Sequence, residues 1–154
     1  MVIQREAYSQ LREKITKGKV LILYGPRQVG KTFLLRKIEK DLSKKEKILF
    51  LNGESAIVQD KFSKRVPENF KRFIGNTSLL IIDEAHQVPE IGLALKMLID
   101  SFSNLKIIVS GSASFTLAQK ITEPLTGRKT IIYLYPVAAQ ELIKTEDSHF
   151  YYSI

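Results

Sequence analysis

A chain of 154 residues and 17.6 kDa is long enough to bury a core, and 44% hydrophobic with 26% charged residues is the balance of one globular domain rather than a disordered tract. The absence of cysteine (0 residues) excludes disulfides, iron–sulfur clusters and thiolate zinc sites. The formal charge of +8 is lopsided: residues 1–77 hold 18 Lys/Arg against 8 Asp/Glu, a balance of +10, whereas residues 78–154 hold 6 against 8, a balance of −2. Such asymmetry suits a polyanionic partner (nucleic acid, a membrane surface or a nucleotide), or else marks a solvated helix face.

The opening "MVIQREAYSQLREKITKGK" carries charge from Arg5 onward and lacks the apolar core of a signal peptide, which gives a cytoplasmic reading. Within it "REAYSQLREKI" predicts a helix ahead of the first strand. Five short apolar runs follow: Val20–Tyr24, Ile48–Leu51, Leu79–Asp83, Lys106–Ser110 and Thr130–Leu134. Each is rich in β-branched or aromatic residues and nearly continuous in hydrophobicity, as strands covered on both faces are. The longest runs fall far short of the ~20 residues of a membrane helix, so no span is expected.

Helical spacing fills the gaps. "TFLLRKIEKDLSKK" sets Phe33, Leu34, Ile38 and Leu42 on one stripe, and "EIGLALKMLIDSF" does the same with Ile91, Leu95, Leu98 and Phe102. Residues 52–76 are less regular and predict one or two short helices with an exposed loop. Strands alternating with helices predict an α/β sandwich around a parallel sheet, because crossovers in such sheets are right-handed. No repeat or Gly/Ser linker divides the chain, so residues 1–154 read as a single domain.

Two motifs carry chemistry. Gly25, Gly30, Lys31 and Thr32 fit G-x-x-x-x-G-K-[ST], with a predicted strand directly before and a predicted helix directly after. A glycine-containing loop lets successive backbone N–H groups turn toward phosphates, and the helix beginning near Lys31 adds its positive dipole end. The loop Gly25, Pro26, Arg27, Gln28, Val29, Gly30, Lys31 and Thr32, with the adjoining Phe33, is therefore the candidate nucleotide cradle. Lys31 is the candidate for the β- and γ-phosphates, and the Thr32 hydroxyl for Mg²⁺. The second motif, "LLIIDE", ends an apolar strand in Asp83, a candidate for the same Mg²⁺, followed by Glu84, a candidate to orient or deprotonate water. The competing reading of Asp83 and Glu84 is a helix cap. Ser110 and Ser112, at the tip of the next strand, are candidates to sense a γ-phosphate, or mark a serine-rich helix start.

Taken together, "ILYGPRQVGKTFLL", "LLIIDEAHQVPEIGLALKMLID", "IIVSGSASFTLAQKITEPLTGR" and "IIYLYPVAAQEL" resemble the N-terminal ATPase domain of prokaryotic AAA-family ATP-binding proteins, in which a domain of unknown function follows. The resemblance covers roughly residues 3–144. It implies a P-loop sandwich of AAA/ASCE type, a five-stranded parallel sheet of order 5-1-4-3-2, and ATP with Mg²⁺ as ligands. It also implies a C-terminal lid and further domain beyond what this sequence contains. In the family a helix of "DE-I-Q" flavour follows the third-strand motif; here Ala85, His86 and Gln87 depart from it, and His86 reads either as a helix-entry residue or as a contact near the γ-phosphate. Arg128 in "TGR" reads as a contact to nucleotide on its own or a neighbouring subunit, or as a solvated side chain.

The functional expectation is a Mg-dependent ATPase coupling nucleotide state to a macromolecular partner or a second copy of itself. The alternative is a nucleotide-gated nucleic-acid-binding module, suggested by "KFSKRVPENFKRF". That stretch mixes Lys61, Lys64, Arg65, Lys71 and Arg72 with Phe62, Phe70 and Phe73, which serve either stacked bases or the core of short helices. The "DEAH" of Asp83–His86 evokes a helicase, but such enzymes need two lobes and 154 residues hold one. A small-molecule kinase fits less well, since it does without the adjacent Asp-Glu pair.

Overall fold

The computed structural model describes residues 5–112 and 124–135. In chain order the elements are α1 (Arg5–Lys14), β1 (Val20–Gly25), α2 (Lys31–Leu42), β2 (Ile48–Asn52), α3 (Ala56–Ser63), α4 (Pro67–Ile74), β3 (Leu79–Asp83), a 3₁₀ turn (Ala85–Gln87), α5 (Ile91–Ser101), β4 (Lys106–Ser112) and β5 (Lys129–Tyr133). The five strands form one sheet of order β2-β3-β4-β1-β5, and all four pairings are parallel. This is the expected 5-1-4-3-2 order.

Strand hydrophobicity explains the layering. Val20, Ile22 and Tyr24 of β1 join Leu80, Ile82, Ile107 and Val109 in a core shared with α3, α4 and α5, while Leu21 and Leu23 join Leu79, Ile81 and Ile108 in a second core under α1 and α2. Alternate side chains of each strand thus enter opposite cores, which is why the runs are apolar throughout.

The α2 stripe differs from the sequence expectation by one position. Leu34, Leu35 and Ile38 are buried and Leu42 is partly buried, but Phe33 is 49% exposed. Helix α2 starts only at Lys31, and Lys31, Leu34, Leu35 and Ile38, spaced by three and four, take the buried face. In α5, Ile91, Leu95 and Leu98 are buried as expected, and Phe102 packs against the core from the helix end.

Residues 52–76 resolve into two short helices. Ser55 caps α3 by accepting a hydrogen bond from Val58 N, and Pro67 opens α4, where a missing N–H costs nothing. Phe62 and Phe70 are fully buried, and both rings meet Phe73 at centroid distances of 5.5 and 5.6 Å. The three rings are the anchor of this helix pair, which removes them as a platform for stacked bases. Lys64, Lys71 and Arg72 remain exposed on its outside. Among the described residues no helix is long and apolar enough to cross a membrane. The aromatic end, Phe150 to Tyr152, lies outside the described residues.

Candidate nucleotide site

In a parallel sheet, ligands sit beyond the carboxyl ends of the strands where the strand order reverses. Here β4 lies between β3 and β1, so the tips of those three strands bring Asp83, Ser110 to Ser112 and the loop after Gly25 together. The register pairs Gly25 with Ser112 and Ile82 with Val109.

The loop is shaped by its backbone. A Cβ on Gly25 would lie 2.5 Å from the Leu134 carbonyl oxygen, so only glycine lets the end of β1 pass the chain leaving β5. Gly30 has φ 97°, in the left-handed region that glycine adopts without strain, and it forms the N-cap of α2. Gln28 also has positive φ (62°). The loop thus turns into a 12-residue helix whose first residue is Lys31, leaving the helix's unpaired N–H groups at the loop.

Lys31 is buried, and its Nζ donates to the carbonyls of Gly25 (2.7 Å) and Pro26 (2.6 Å). Two of the ammonium's three hydrogens are therefore held by the loop. Burial pushes the Lys31 pKa down, and the nearby Glu84 and Asp83 carboxylates oppose that shift. Thr32 Oγ1 donates to Asp83 Oδ2 at 2.6 Å across 51 residues of sequence, joining the two motifs. The other Asp83 oxygen, Oδ1, accepts from Ser110 Oγ and from Glu84 N at 3.1 Å. Ser110 Oγ also accepts from Glu84 N at 3.0 Å. Asp83 is thus a buried carboxylate oriented by hydrogen bonds, not a helix cap.

Glu84 has φ 53° and ψ 43°, a left-handed conformation uncommon outside glycine and asparagine. Strain of this kind concentrates at functional positions. The 3₁₀ turn that follows carries His86, whose Nε2 lies 3.4 Å from Glu84 Oε2 and whose Nδ1 accepts from Ser112 N at 3.4 Å. Ser112 Oγ is buried without a hydrogen-bond partner among the described residues.

One residue escaped the sequence reading. Gly53, at the end of β2, donates from its N–H to Asp83 O at 2.7 Å, and a Cβ there would lie 2.2 Å from Glu84 O. Its sequence signal is a glycine two positions after a predicted strand, which also describes an ordinary turn. Arg128, in contrast, is not brought to the site. It precedes β5, its carbonyl accepts from Val20 N at the start of β1, and its guanidinium pairs with Asp100. That is the end of the sheet opposite the phosphate loop, so Arg128 does not reach its own subunit's site.

A family model described as "AAA domain" matches residues 17–143. The chain belongs to the AAA domain family. An uncharacterized protein of Mycobacterium tuberculosis is 27% identical over 143 residues, and one of Methanocaldococcus jannaschii is 30% identical over 134 residues. These alignments cover 92% and 85% of this chain but 31% and 30% of the relatives, so the chain spans about a third of their length. The fold is that of domain III of the Thermotoga maritima replication initiation protein DnaA (TM-score 0.62, 18% identity, 90% of this chain and 65% of that one). It is also that of Drosophila ORC bound to DNA (0.63, 13%, 87% and 91%) and of the DnaC helicase loader (0.59, 16%, 87% and 91%). The AAA assignment read from four motifs and the P-loop fold of this AAA domain are therefore borne out.

Proposed function

We propose that this AAA domain binds ATP with Mg²⁺ and hydrolyses it, using the change in nucleotide state to act on a macromolecular partner. The observation that carries the reading is the 2.6 Å contact of Thr32 Oγ1 with Asp83 Oδ2, which holds a hydroxyl and a carboxylate at one point beside the loop. The residues fit the ligand. One hydroxyl and one carboxylate suit a Mg²⁺ ion shared with phosphate oxygens. Among the described residues no cluster of three or more His, Asp or Glu would hold a metal unaided.

Backbone N–H groups of residues 27–32 would hold the phosphates, with Lys31 as their counter-charge and Thr32 and Asp83 on the metal. The bound Mg-nucleotide supplies the transferable phosphoryl group and the charge neutralisation it needs. Glu84 has the role of accepting a proton from water. Ser110, tied to Asp83 and Glu84 N, has a supporting role, whereas the hydroxyl of Ser112 at the β4 tip, without a partner among the described residues, has that of the γ-phosphate contact. The exposed Phe33 ring, next to Thr32, offers a face to the base. Arg128 would act only on a neighbouring subunit.

The test is binding of a fluorescent ATP analogue with and without Mg²⁺. Lys31→Ala is expected to abolish binding, and Thr32→Ala to remove its Mg²⁺ dependence. Full affinity in Lys31→Ala would overturn the assignment.

A second reading has its own support: Lys64, Lys71 and Arg72 stand exposed on the α3–α4 pair, and one structural neighbour is bound to DNA. With Phe62 and Phe70 buried and Phe73 packed against them, nucleic acid would be held by its phosphates. Salt-sensitive binding of labelled DNA, weakened in Lys64→Glu/Arg65→Glu, tests it; no binding at low salt would remove it.

A further inference from the structure

We propose that His86 is the positioning residue for Glu84, and that through it the tip of β4 controls where the catalytic carboxylate points. The inference rests on the hydrolytic reading above.

The backbone of Glu84 is fixed on both sides. Its N–H is held by Asp83 Oδ1 and Ser110 Oγ, and its carbonyl accepts from Gln87 N at 3.1 Å. Its φ of 53° places it in a narrow left-handed well, and Gly53 packs against its carbonyl. What remains free is the side chain, so the carboxylate's place is decided by what its oxygens meet. The ring within ion-pair distance of its carboxylate, among the described residues, is that of His86, at 3.4 Å.

The imidazole is in turn anchored elsewhere. Nδ1 accepts from the backbone N–H of Ser112, so in the neutral ring the proton sits on Nε2, the nitrogen that faces Glu84. The Gln87 amide nitrogen lies 3.3 Å from Nε2, so in this tautomer the amide has to turn over to present its oxygen as a second acceptor. Both His86 contacts are long at 3.4 Å. Hydrogen bonds of catalytic groups are commonly long before substrate binds and shorten afterwards.

The chain of contacts therefore runs from β4 to Ser112 N, through the ring, to Glu84. Ser112 also carries a buried hydroxyl that has no hydrogen-bond partner among the described residues. A shift of the β4 tip when that hydroxyl gains a partner moves Nδ1, and with it the donor that faces the carboxylate. His86 touches neither of the expected metal ligands, Thr32 and Asp83, in the hydrogen bonds that those residues make. It acts through Glu84.

The experiment compares wild type, His86→Ala, His86→Gln and Glu84→Gln in three readouts: phosphate release, affinity for a fluorescent ATP analogue, and ¹⁵N spectra of the two histidines. His86→Gln assigns which signal is His86. A glutamine amide can reach where Nε2 stands. His86→Ala is expected to lower Glu84-dependent turnover ~10- to 100-fold with affinity and melting temperature unchanged, and His86→Gln to restore most of it. The spectrum should show His86 protonated on Nε2, with that resonance moving in Glu84→Gln. Unchanged turnover in His86→Ala, or its loss together with affinity and folding, would overturn the proposal. So would an Nδ1-protonated ring or a resonance indifferent to Glu84→Gln. If wild type releases no more phosphate than Glu84→Gln, the hydrolytic reading fails and any catalytic role of His86 with it. The spectrum still decides whether His86 holds Glu84.

Discussion

Gly53→Ala presses on the Asp83–Glu84 peptide from outside the motifs. The added methyl carbon would sit 2.2 Å from Glu84 O, 2.9 Å from Glu84 C and 3.2 Å from Asp83 O, whereas real Cβ contacts essentially never fall below 3.0 Å. The Asp83–Glu84 peptide or the end of β2 must therefore move by at least about 0.8 Å, the difference between 3.0 and 2.2 Å. Neither side yields freely. Gly53 N is bonded to Asp83 O, and Glu84 O accepts the bond that closes the 3₁₀ turn. Overpacking of this kind costs about 1–3 kcal/mol of stability. A misplacement approaching 1 Å costs up to ~10²-fold in turnover, because proton transfer needs its groups within hydrogen-bond reach. Thermal unfolding, nucleotide-analogue affinity and phosphate release would be measured on the same protein. Affinity should hold better than turnover, since the phosphate loop is on another strand. Wild-type turnover and stability in Gly53→Ala would refute the claim that the Glu84 peptide is held in place by β2.

Other positions give independent checks. Phe62→Ala empties the centre of the three-ring anchor and should cost about 3–5 kcal/mol in urea unfolding; a change below 1 kcal/mol, on the order of a surface substitution, would contradict its core role. The Tyr24 hydroxyl is buried without a partner among the described residues, so Tyr24→Phe should leave stability at pH 7 unchanged or raise it by about 1 kcal/mol. Burial, and then the nearby Tyr133, push the Tyr24 phenol from its ordinary 10.0 up to about 12. The folded chain keeps this proton while the unfolded chain loses it near 10, so stability falls as pH rises from 10 to 12; Tyr24→Phe should flatten that fall in alkaline unfolding. Arg128→Ala should leave nucleotide affinity of the dilute protein unchanged, and a marked loss would contradict the placement of Arg128 at the far end of the sheet.

The sheet was legible because β1, β3 and most of β4 are buried on both faces, and the edge strands β2 and β5 also send alternate side chains into the two cores, so all five runs are largely apolar. Lys106–Ser112 and Lys129–Tyr133 differ from their expected bounds by one or two residues at an end. The phosphate loop was legible because its residues are local, eight positions between a strand and a helix. What escaped depends on pairing. Gly53 and Asp83 lie 30 positions apart and meet through the β2–β3 register, in which Asn52 pairs with Asp83. Sequence spacing carries no trace of that. Arg128 follows Gly127 closely in a motif that reads as functional, yet chain direction in a parallel sheet puts the start of β5 away from the loop. His86 was ambiguous for a related reason: its partner Ser112 N belongs to a strand 26 residues on. The phenylalanines of α3 and α4 show the limit of composition, since aromatics among basic residues look alike whether they face bases or one another.

The most direct test of the hydrolytic reading is phosphate release from Mg-ATP by the purified protein, with Glu84→Gln as the blank, in the absence and presence of single-stranded and duplex DNA. For a hydrolytic site the expected result is release that depends on Glu84, with stimulation by DNA if the exposed lysines of the α3–α4 pair form a working surface. Release by wild type no greater than by Glu84→Gln, under every condition, would contradict it.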